Sequence, residues 1–580
     1  MLRPYLFMCL VLQAFLHAAG MMSKRTNPFD KLQEDIPEAK RARHNIADLF
    51  LSNDISGARA QSVFDDCDKA GAKFMQDLAK AGSSGKHPQN SSRDLLRKLL
   101  KNNQWPPVYL VPTRVWDNRQ MKEIIVDVAV FLPHELVQVI AQFSKLDLLM
   151  DSQGMHTDAM THLREIEAKV QCSLLPVCMW GDGVPFNWDR TQSLDVFSIS
   201  FPGWVKAKKQ NLRLPVAALP HRAVVKHNTY DDIMSVMAWS FRSLAAGVFP
   251  QKMHNGQEFK EPFRKKLSGT KMQARGILVM VKGDWKFFKD CFRFPQFNEK
   301  GGCCWKCRAT PDSIKEVGAA ASWRTQRLTH FEFLASMSAR GVAPSPLFGA
   351  PFLVTKCFMV DWLHCTDQGV GADFLGNCLR ALIDKMPGNN MQERVAALWG
   401  HTQNFFAVNE CESKYDAMTL LMIQKPNSPP KLRGKAAEVR SLIPFGYQAS
   451  MRFMNSADPK ENSIQQCGFH LMECYNALHR ETHSAQLLAE HSRKFCLLYV
   501  ALQDCSEDPL WRCKPKMHLF QEMCEMSTGN PADAWTYRDE EFGGCIASAS
   551  KRRGGANNPG SLSATVLMRF AANNGIPYLK

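Results

Sequence analysis

Apolar residues fall along this chain in two patterns. Three short runs are continuous: Leu174-Leu-Pro-Val-Cys-Met-Trp180, Asp195-Val-Phe-Ser-Ile-Ser-Phe201 and Gly276-Ile-Leu-Val-Met-Val281. Runs of this length, rich in β-branched and aromatic residues, predict strands buried on both faces. Val108–Val111 and Glu123–Phe131 read as strands or short helices. Longer stretches follow the helical period instead: Val370, Phe374, Leu375, Cys378, Leu379, Leu382 and Ile383 recur at steps of one, three and four. Phe495–Leu502 belongs to another helix, residues 61–81 and 133–170 read as helical, and Asn530–Phe542 reads as a capped helix. Gly82–Ser92 has the composition of a linker, and Pro426–Lys435 that of a surface loop. Together these patterns predict an α/β chain, with strands concentrated before about residue 300 and helices after it.

Composition narrows the class. The 580 residues carry 72 Lys+Arg against 56 Asp+Glu, a net +16, which favours a polyanionic partner, nucleic acid ahead of an anionic membrane. A hydrophobic fraction of 45% and an aromatic fraction of 10% exclude disorder along the whole chain. The 34 Gly and 31 Pro show no collagen-like excess. Nineteen cysteines are too dilute for a disulfide scaffold, and several, such as Cys378 and Cys496, sit within apolar helical runs, as buried thiols of a reducing compartment do. The first twenty residues have the layout of a secretory signal: an early Arg3, a short apolar core, then Ala18-Ala19. The alternative is a start at Met21 or Met22, just ahead of Lys24-Arg25 and Lys40-Arg41-Ala42-Arg43, a basic cluster suited to nuclear import or DNA contact. No other segment is apolar for long enough to predict a membrane span.

Candidate chemistry begins with two acids. Asp182 follows one apolar run and lies between Gly181 and Gly183; Asp284 follows another, after Gly283. An Asp-Gly turn is the bland account of the first. Carboxylates at the ends of neighbouring strands can instead hold two divalent ions about 4 Å apart, the arrangement for in-line phosphoryl transfer. Cys304-x-x-Cys307 is half of a tetrahedral zinc site. His518 and Glu522 share a helical face at i, i+4 and could complete it, with Cys524 as a substitute; the bland account is a surface histidine. Asp539-Glu540-Glu541 offers three acids beside aromatics, either a third metal ligand or a solvated helix start. Asp361 and His364 fall on one helical face, where bracing of the fold is favoured over metal binding.

In order along the chain these motifs resemble those of the CACTA (En/Spm-like) DDE transposases. Asp182-Gly-Val-Pro-Phe186 resembles the first-Asp motif, Val281-Lys-Gly-Asp284 with Cys304-x-x-Cys307 the second, Asp361-Trp-Leu-His364 the Asp-x-Met-His helix, and Trp535-x-Tyr537-x-x-Glu540 the closing aromatic–Glu element. A similar order appears in the related V(D)J recombinase core. The resemblance spans about residues 170–553 and departs at Glu522, where the family often has a second His, and at Leu363, where it has Met. It implies an RNase H-like mixed-sheet core interrupted by a large all-helical insertion. The expected division is a leader and basic, loosely ordered segment over 1–60, a mostly helical region over 61–170, core over 171–302, insertion over 303–515 and returning core over 516–580. It implies Mg²⁺ or Mn²⁺ on Asp182, Asp284 and Glu540, with Asp539 or Glu541 as substitutes for the last. It also implies a structural Zn²⁺ on Cys304, Cys307, His518 and Glu522. Double-stranded DNA, as element ends and target, becomes the expected partner, met by Lys551, Arg552, Arg553, Lys208, Lys209, Lys265 and Lys266, with Lys206 and Arg264 beside them. Homo-oligomerisation and nuclear localisation go with that reading. A catalytically inactive, nucleic-acid-binding descendant and a secreted protein are the alternatives.

Overall fold

The computed structural model describes residues 38–82, 86–101, 104–143, 149–150, 154–187, 190–202, 213–506, 510–550 and 558–573. The chain is mixed α/β. Its N-terminal unit is four helices: α1 (Glu38–Leu51), α2 (Gly57–Lys69), the single turn α3 (Gln76–Ala79) and α4 (Pro88–Leu99). They bury Ile46, Phe50, Phe64, Leu78 and Leu95 in a small core of their own. Order therefore begins before residue 60, contrary to the expectation of a loose segment there. The polar composition of 38–51 conceals a one-sided apolar face, Ile46, Ala47, Phe50 and Leu51, that packs against α2.

A hairpin follows, β1 (Tyr109–Asp117) and β2 (Lys122–Val130), antiparallel from Tyr109↔Val130 to Asp117↔Lys122. The region 61–170 therefore carries a hairpin among its helices. The alternation of buried and exposed residues in β1 is the strand period, and it settles the strand-or-helix ambiguity. Helices α5 (Pro133–Phe143) and α6 (Thr157–Val170) lead into the main sheet: β3 (Leu175–Pro185), β4 (Ser193–Ser200), β5 (Arg213–Pro220) and, after α7 (Lys226–Ala246) and α8 (Pro262–Leu267), β6 (Gly276–Lys282). Its order is β5-β4-β3-β6, with β3 parallel to β6 and the other pairs antiparallel. All seven residues of β6 are buried, as its continuous apolar run predicts.

Strand β5 has no clear signature in the sequence because Pro215 and Pro220 interrupt it. Pro215 is tolerated at the end of the sheet order, opposite Ser198, where the β4–β5 register shifts. Beyond β6 come α9 (Trp285–Phe292) and then a stretch over 303–362 built mainly of turns and 3₁₀ segments around one regular helix, α10 (His330–Ala339). The insertion is therefore not all-helical. Prolines 311, 344, 346 and 351 and the Cys304–Cys307 knuckle break the helical period there. From Leu363 it is helical: a π-helix (Leu363–Gly371), α11 (Ala372–Ile383), α12 (Met391–Val408), α13 (Leu420–Ile423), α14 (Ala436–Phe453), α15 (Pro459–Asn476), α16 (Ala485–Asp504) and α17 (Lys516–Glu525).

The chain then returns to the sheet. Helix α18 (Tyr537–Ser550) lies on β3, and α19 (Pro559–Asn573) covers β2 and β5. The Ser563 hydroxyl donates to Ala129 O (2.6 Å) and accepts from Ala218 N (3.2 Å), pinning the hairpin to the sheet. All eighteen described cysteines are free thiols. No described helix is long and apolar enough to cross a membrane.

Candidate metal centres

Strands β3 and β6 run side by side in parallel, and their last registered pair is Trp180↔Lys282. Asp182 and Asp284 each lie two residues past that rung, so the two acids sit at the same height on adjacent strands. Asp182 is not at a strand end, since β3 continues to Pro185, pairing Asp182 with Val196 of β4. Asp284 caps α9 by accepting from Phe287 N (2.5 Å). Gly181 makes this corner feasible: a Cβ there would come within 2.3 Å of the Phe287 ring, which packs directly beneath.

Glu540 arrives from 358 residues further along the chain. Helix α18 reaches β3 because Gly543 has no side chain; a Cβ would meet Trp180 at 2.7 Å and Val184 at 2.8 Å. One turn before that contact, Glu540 faces Asp182. His364, near the start of the π-helix, closes the group: its Nε2 lies 3.7 Å from Asp182 Oδ2 and 3.8 Å from Glu540 Oε1. Asp182, His364 and Glu540 present ligand atoms within 4.8 Å of one another. Asp284, which the sequence pattern places in the same set, is not part of this group, though its charge acts on Asp182.

The electrostatics describe a crowded acid site. Burial, then the charge of Asp284, pushes the Asp182 carboxyl up to about 6. Burial and the Asp182 charge push Glu540 well above its usual value. Burial alone would lower the His364 imidazole, but the hydrogen bond from its Nδ1 to Asp361 (2.6 Å) and the surrounding acids outweigh it and raise the group to about 10. Glu540 Oε1 is buried without a hydrogen-bond partner. An orphaned acceptor among converging acids is a donor set that fits a divalent cation.

Asp361 and His364 divide their roles. Asp361 accepts from His364 Nδ1, from Thr536 N (2.9 Å) and from Thr536 Oγ1 (2.8 Å), tying the insertion to the approach of α18. His364 points into the acid group. The other acids of 539–541 do not. Asp539 has no exposed side chain and is held by Arg213 Nε and Lys282 Nζ, each at 2.5 Å, while Glu541 faces solvent.

A second cluster lies where the loop after α9 meets α17. Cys304, Cys307, His518 and Glu522, all buried, place one ligand atom each within 4.8 Å of the others. Cys307 Sγ is 3.4 Å from His518 Nε2, and Lys306 N donates to Cys304 Sγ at 3.3 Å. Burial opposes ionisation of Cys304, yet the Cys307 thiol and His518 bring it down to about 5, while Cys307 is driven up by its neighbour. A metal would take up the charge of both thiolates, whose tendencies to ionise otherwise differ. Glu522 Oε1 lies 3.6 Å from His518 Nε2, but both its oxygens also accept from Arg327, at 2.7 Å each. Cys524 is not in this cluster; its neighbours are Cys474, Cys365 and Cys496.

The basic residues fare differently. Lys206, Lys208, Lys209, Lys551, Arg552 and Arg553 lie outside the described residues. Lys265 and Lys266 are exposed on α8. Arg264 beside them is buried and bidentate on Glu135 (2.8 and 2.9 Å), so it braces the fold and is not part of a surface track. Three lysines not singled out by charge clustering, Lys431, Lys514 and Lys516, line a cleft beside Asp284 and His364. The Lys514-Pro515-Lys516 spacing just ahead of His518 is their trace in the sequence. No protein-family model matches the chain, and no curated protein matches it.

Proposed function

We propose that this protein cleaves and transfers DNA strands by DDE-type chemistry, as a transposase or a descendant of one. The observation that carries the reading is the gathering of Asp182, His364 and Glu540, from segments up to 358 residues apart, with Asp284 on the adjacent strand close enough for its charge to act on Asp182. A mixed sheet with β3 parallel to β6 and antiparallel to β4, continued by an antiparallel β5, supports an RNase H-like core. The helical excursion between Asp284 and Glu540 supports the insertion arrangement.

The three carboxylates would hold Mg²⁺ or Mn²⁺, which would activate the attacking oxygen and stabilise the leaving one. The residues themselves set up the site. Asp361 fixes the His364 ring, and the π-helix start presents its Nε2 to Asp182 and Glu540. There the imidazolium offsets the charge of the two acids and is placed to meet a phosphate oxygen. Cys304, Cys307, His518 and Glu522 would hold Zn²⁺ and fasten the insertion to the core. The net charge of +16 supports duplex DNA as partner, and the free cysteines support a reducing compartment such as the nucleus.

The test is cleavage of labelled duplex DNA with Mg²⁺ or Mn²⁺. Asp182→Ala, Asp284→Ala and Glu540→Ala should each abolish it while leaving the protein folded. Cleavage surviving in any of the three removes that residue from the set, and survival in all three refutes the reading.

A further inference from the structure

A cleft of about 380 Å³ opens beside the acid centre, between the β6–α9 corner and the insertion. That volume lies in the range of small-ligand sites, roughly 300–1,000 Å³. Its two sides differ in chemistry. The core side is aromatic. Trp285 directly follows Asp284 and meets Phe297 edge-on, with ring centres 6.2 Å apart; Trp305 closes the back at the same distance from Trp285. Phe297 is 49% exposed, an aromatic ring the core does not bury.

The insertion side is cationic. Lys431, Lys514 and Lys516 come from two distant segments and line the same space. Lys431 donates to Gln368 O (2.8 Å), Lys516 to His364 O (2.6 Å) and Lys514 to Asp373 (2.6 Å). Each contact uses one of an ammonium's three N–H donors. Among the cleft's acids, only Asp373 pairs with one of these lysines; Asp361 is committed to His364 and Thr536. The lysines also oppose one another. Burial, with the charges of Lys516 and Lys514, lowers the Lys431 ammonium below its usual value despite Asp373. The lining also holds Lys286, paired with Asp290, and the acids Asp284 and Asp361 at the end nearest the acid centre. The three lysines therefore share only Asp373 on their own side, and an anion between them is favoured there.

Aromatic faces beside fixed cations are the two parts of an unpaired-nucleotide site. Base stacking on such rings contributes about 1–3 kcal/mol per base, and lysines take the phosphate. We propose that the cleft receives one unpaired nucleotide of the DNA strand engaged at the acid centre, its base against Phe297 and Trp285 and its phosphate on Lys431, Lys514 and Lys516. The proposal rests on the strand-transfer reading for the identity of the strand. A free mononucleotide has the same chemistry, so the test separates the two sources.

The full-length protein is titrated, with Ca²⁺ and no Mg²⁺, against three probes containing 2-aminopurine: a duplex with a two-nucleotide single-stranded overhang, the blunt duplex, and the free deoxynucleoside monophosphate. Quenching of the overhang probe is expected, well beyond that of the blunt duplex. Phe297→Ala, at an exposed position, should weaken overhang binding roughly fivefold or more. Lys514→Ala/Lys516→Ala should weaken it as well, with blunt-duplex affinity held within about twofold. Equal quenching of overhang and blunt probes, or wild-type behaviour of Phe297→Ala, overturns the proposal. So does free-monophosphate binding as tight as the overhang, which would make this a mononucleotide site. Failure of the acid-centre reading looks different: no Mg²⁺-dependent cleavage by the wild type, while the overhang signal and its loss in Phe297→Ala persist.

Discussion

Asp539 and Glu540 are consecutive acids on one helix, and the structure assigns them opposite energetics. Asp539 has 0% side-chain exposure and accepts from Arg213 and Lys282, themselves only 11% and 7% exposed. Burial would raise its carboxyl, but the two cations hold it below the usual range. Asp539→Asn keeps the shape and removes the charge, leaving two cations in a dry site with a neutral partner. Breaking a buried pair in this way costs about 3–5 kcal/mol, a large share of the roughly 5–15 kcal/mol that holds a typical protein folded. Glu540→Gln does the reverse. Its carboxyl is raised by burial and by Asp182, so at pH 8 without metal its charge burdens the fold. Each unit of such a shift corresponds to about 1.4 kcal/mol, and removing the charge should stabilise the metal-free protein by an amount of that order. The pair is compared by urea unfolding at pH 8 in EDTA, then by DNA cleavage in Mg²⁺. Asp539→Asn should unfold at clearly lower urea, while Glu540→Gln should unfold at equal or higher urea and not cleave. A destabilised Glu540→Gln that still cleaves, beside an unaffected Asp539→Asn, would refute the assignment of metal ligand and brace.

Metal affinity should depend on pH with a definite sign. Asp182 is raised to about 6 and Glu540 is raised well above its usual value, so protons compete for both ligands; Mn²⁺ binding followed by calorimetry should weaken steadily as pH falls from 7 to 5. Purified protein should contain one zinc by elemental analysis, and Cys304→Ser or Cys307→Ser should lose it together with the thermal stability of the insertion. Structural zinc contributes about 10–16 kcal/mol in small folds, too much to lose silently; full zinc content in both variants would exclude the cluster. Gly543→Ala sets two effects against each other. Replacing a mid-helix glycine gains about 1 kcal/mol, but a Cβ 2.7 Å from Trp180 overpacks the α18–β3 contact at a cost of about 1–3 kcal/mol. Net destabilisation and loss of cleavage are expected, and a more stable, active variant would show that the close approach does not position Glu540.

The positions of Asp182 and Asp284 were legible because each follows an apolar run and a glycine, which places Asp182 on the buried strand β3 and Asp284 just past the end of β6 without knowledge of the partner. Choosing Glu540 over its neighbours was not within reach of composition. Three consecutive acids look alike until the helix phase sends Asp539 toward Arg213 and Lys282 and turns Glu540 to Asp182. Strand β5 was hidden by its prolines, the α1 face by surrounding charge, and the lysine cleft by distance, since Lys431 and Lys516 are 85 residues apart. Local signals carry local structure; what depended on long-range packing left only faint traces, such as the Lys514-Pro515-Lys516 spacing.

The insertion participates in the acid centre. It supplies His364 to the acid group, and through Asp361 it fixes Thr536, four residues before Glu540. Asp367, one turn further along the π-helix, accepts from Tyr475 of α15 and from Tyr537 at the start of α18. Glu540 is therefore positioned from two directions, by Gly543 and Asp539 against the sheet and by Asp361 and Asp367 from the insertion. A π-helix widens the turn just where both attachments are made, and such irregular turns concentrate at functional sites. The cleft and the acid centre also share a wall, since Lys516 donates to the backbone oxygen of His364, whose imidazole faces Asp182 and Glu540.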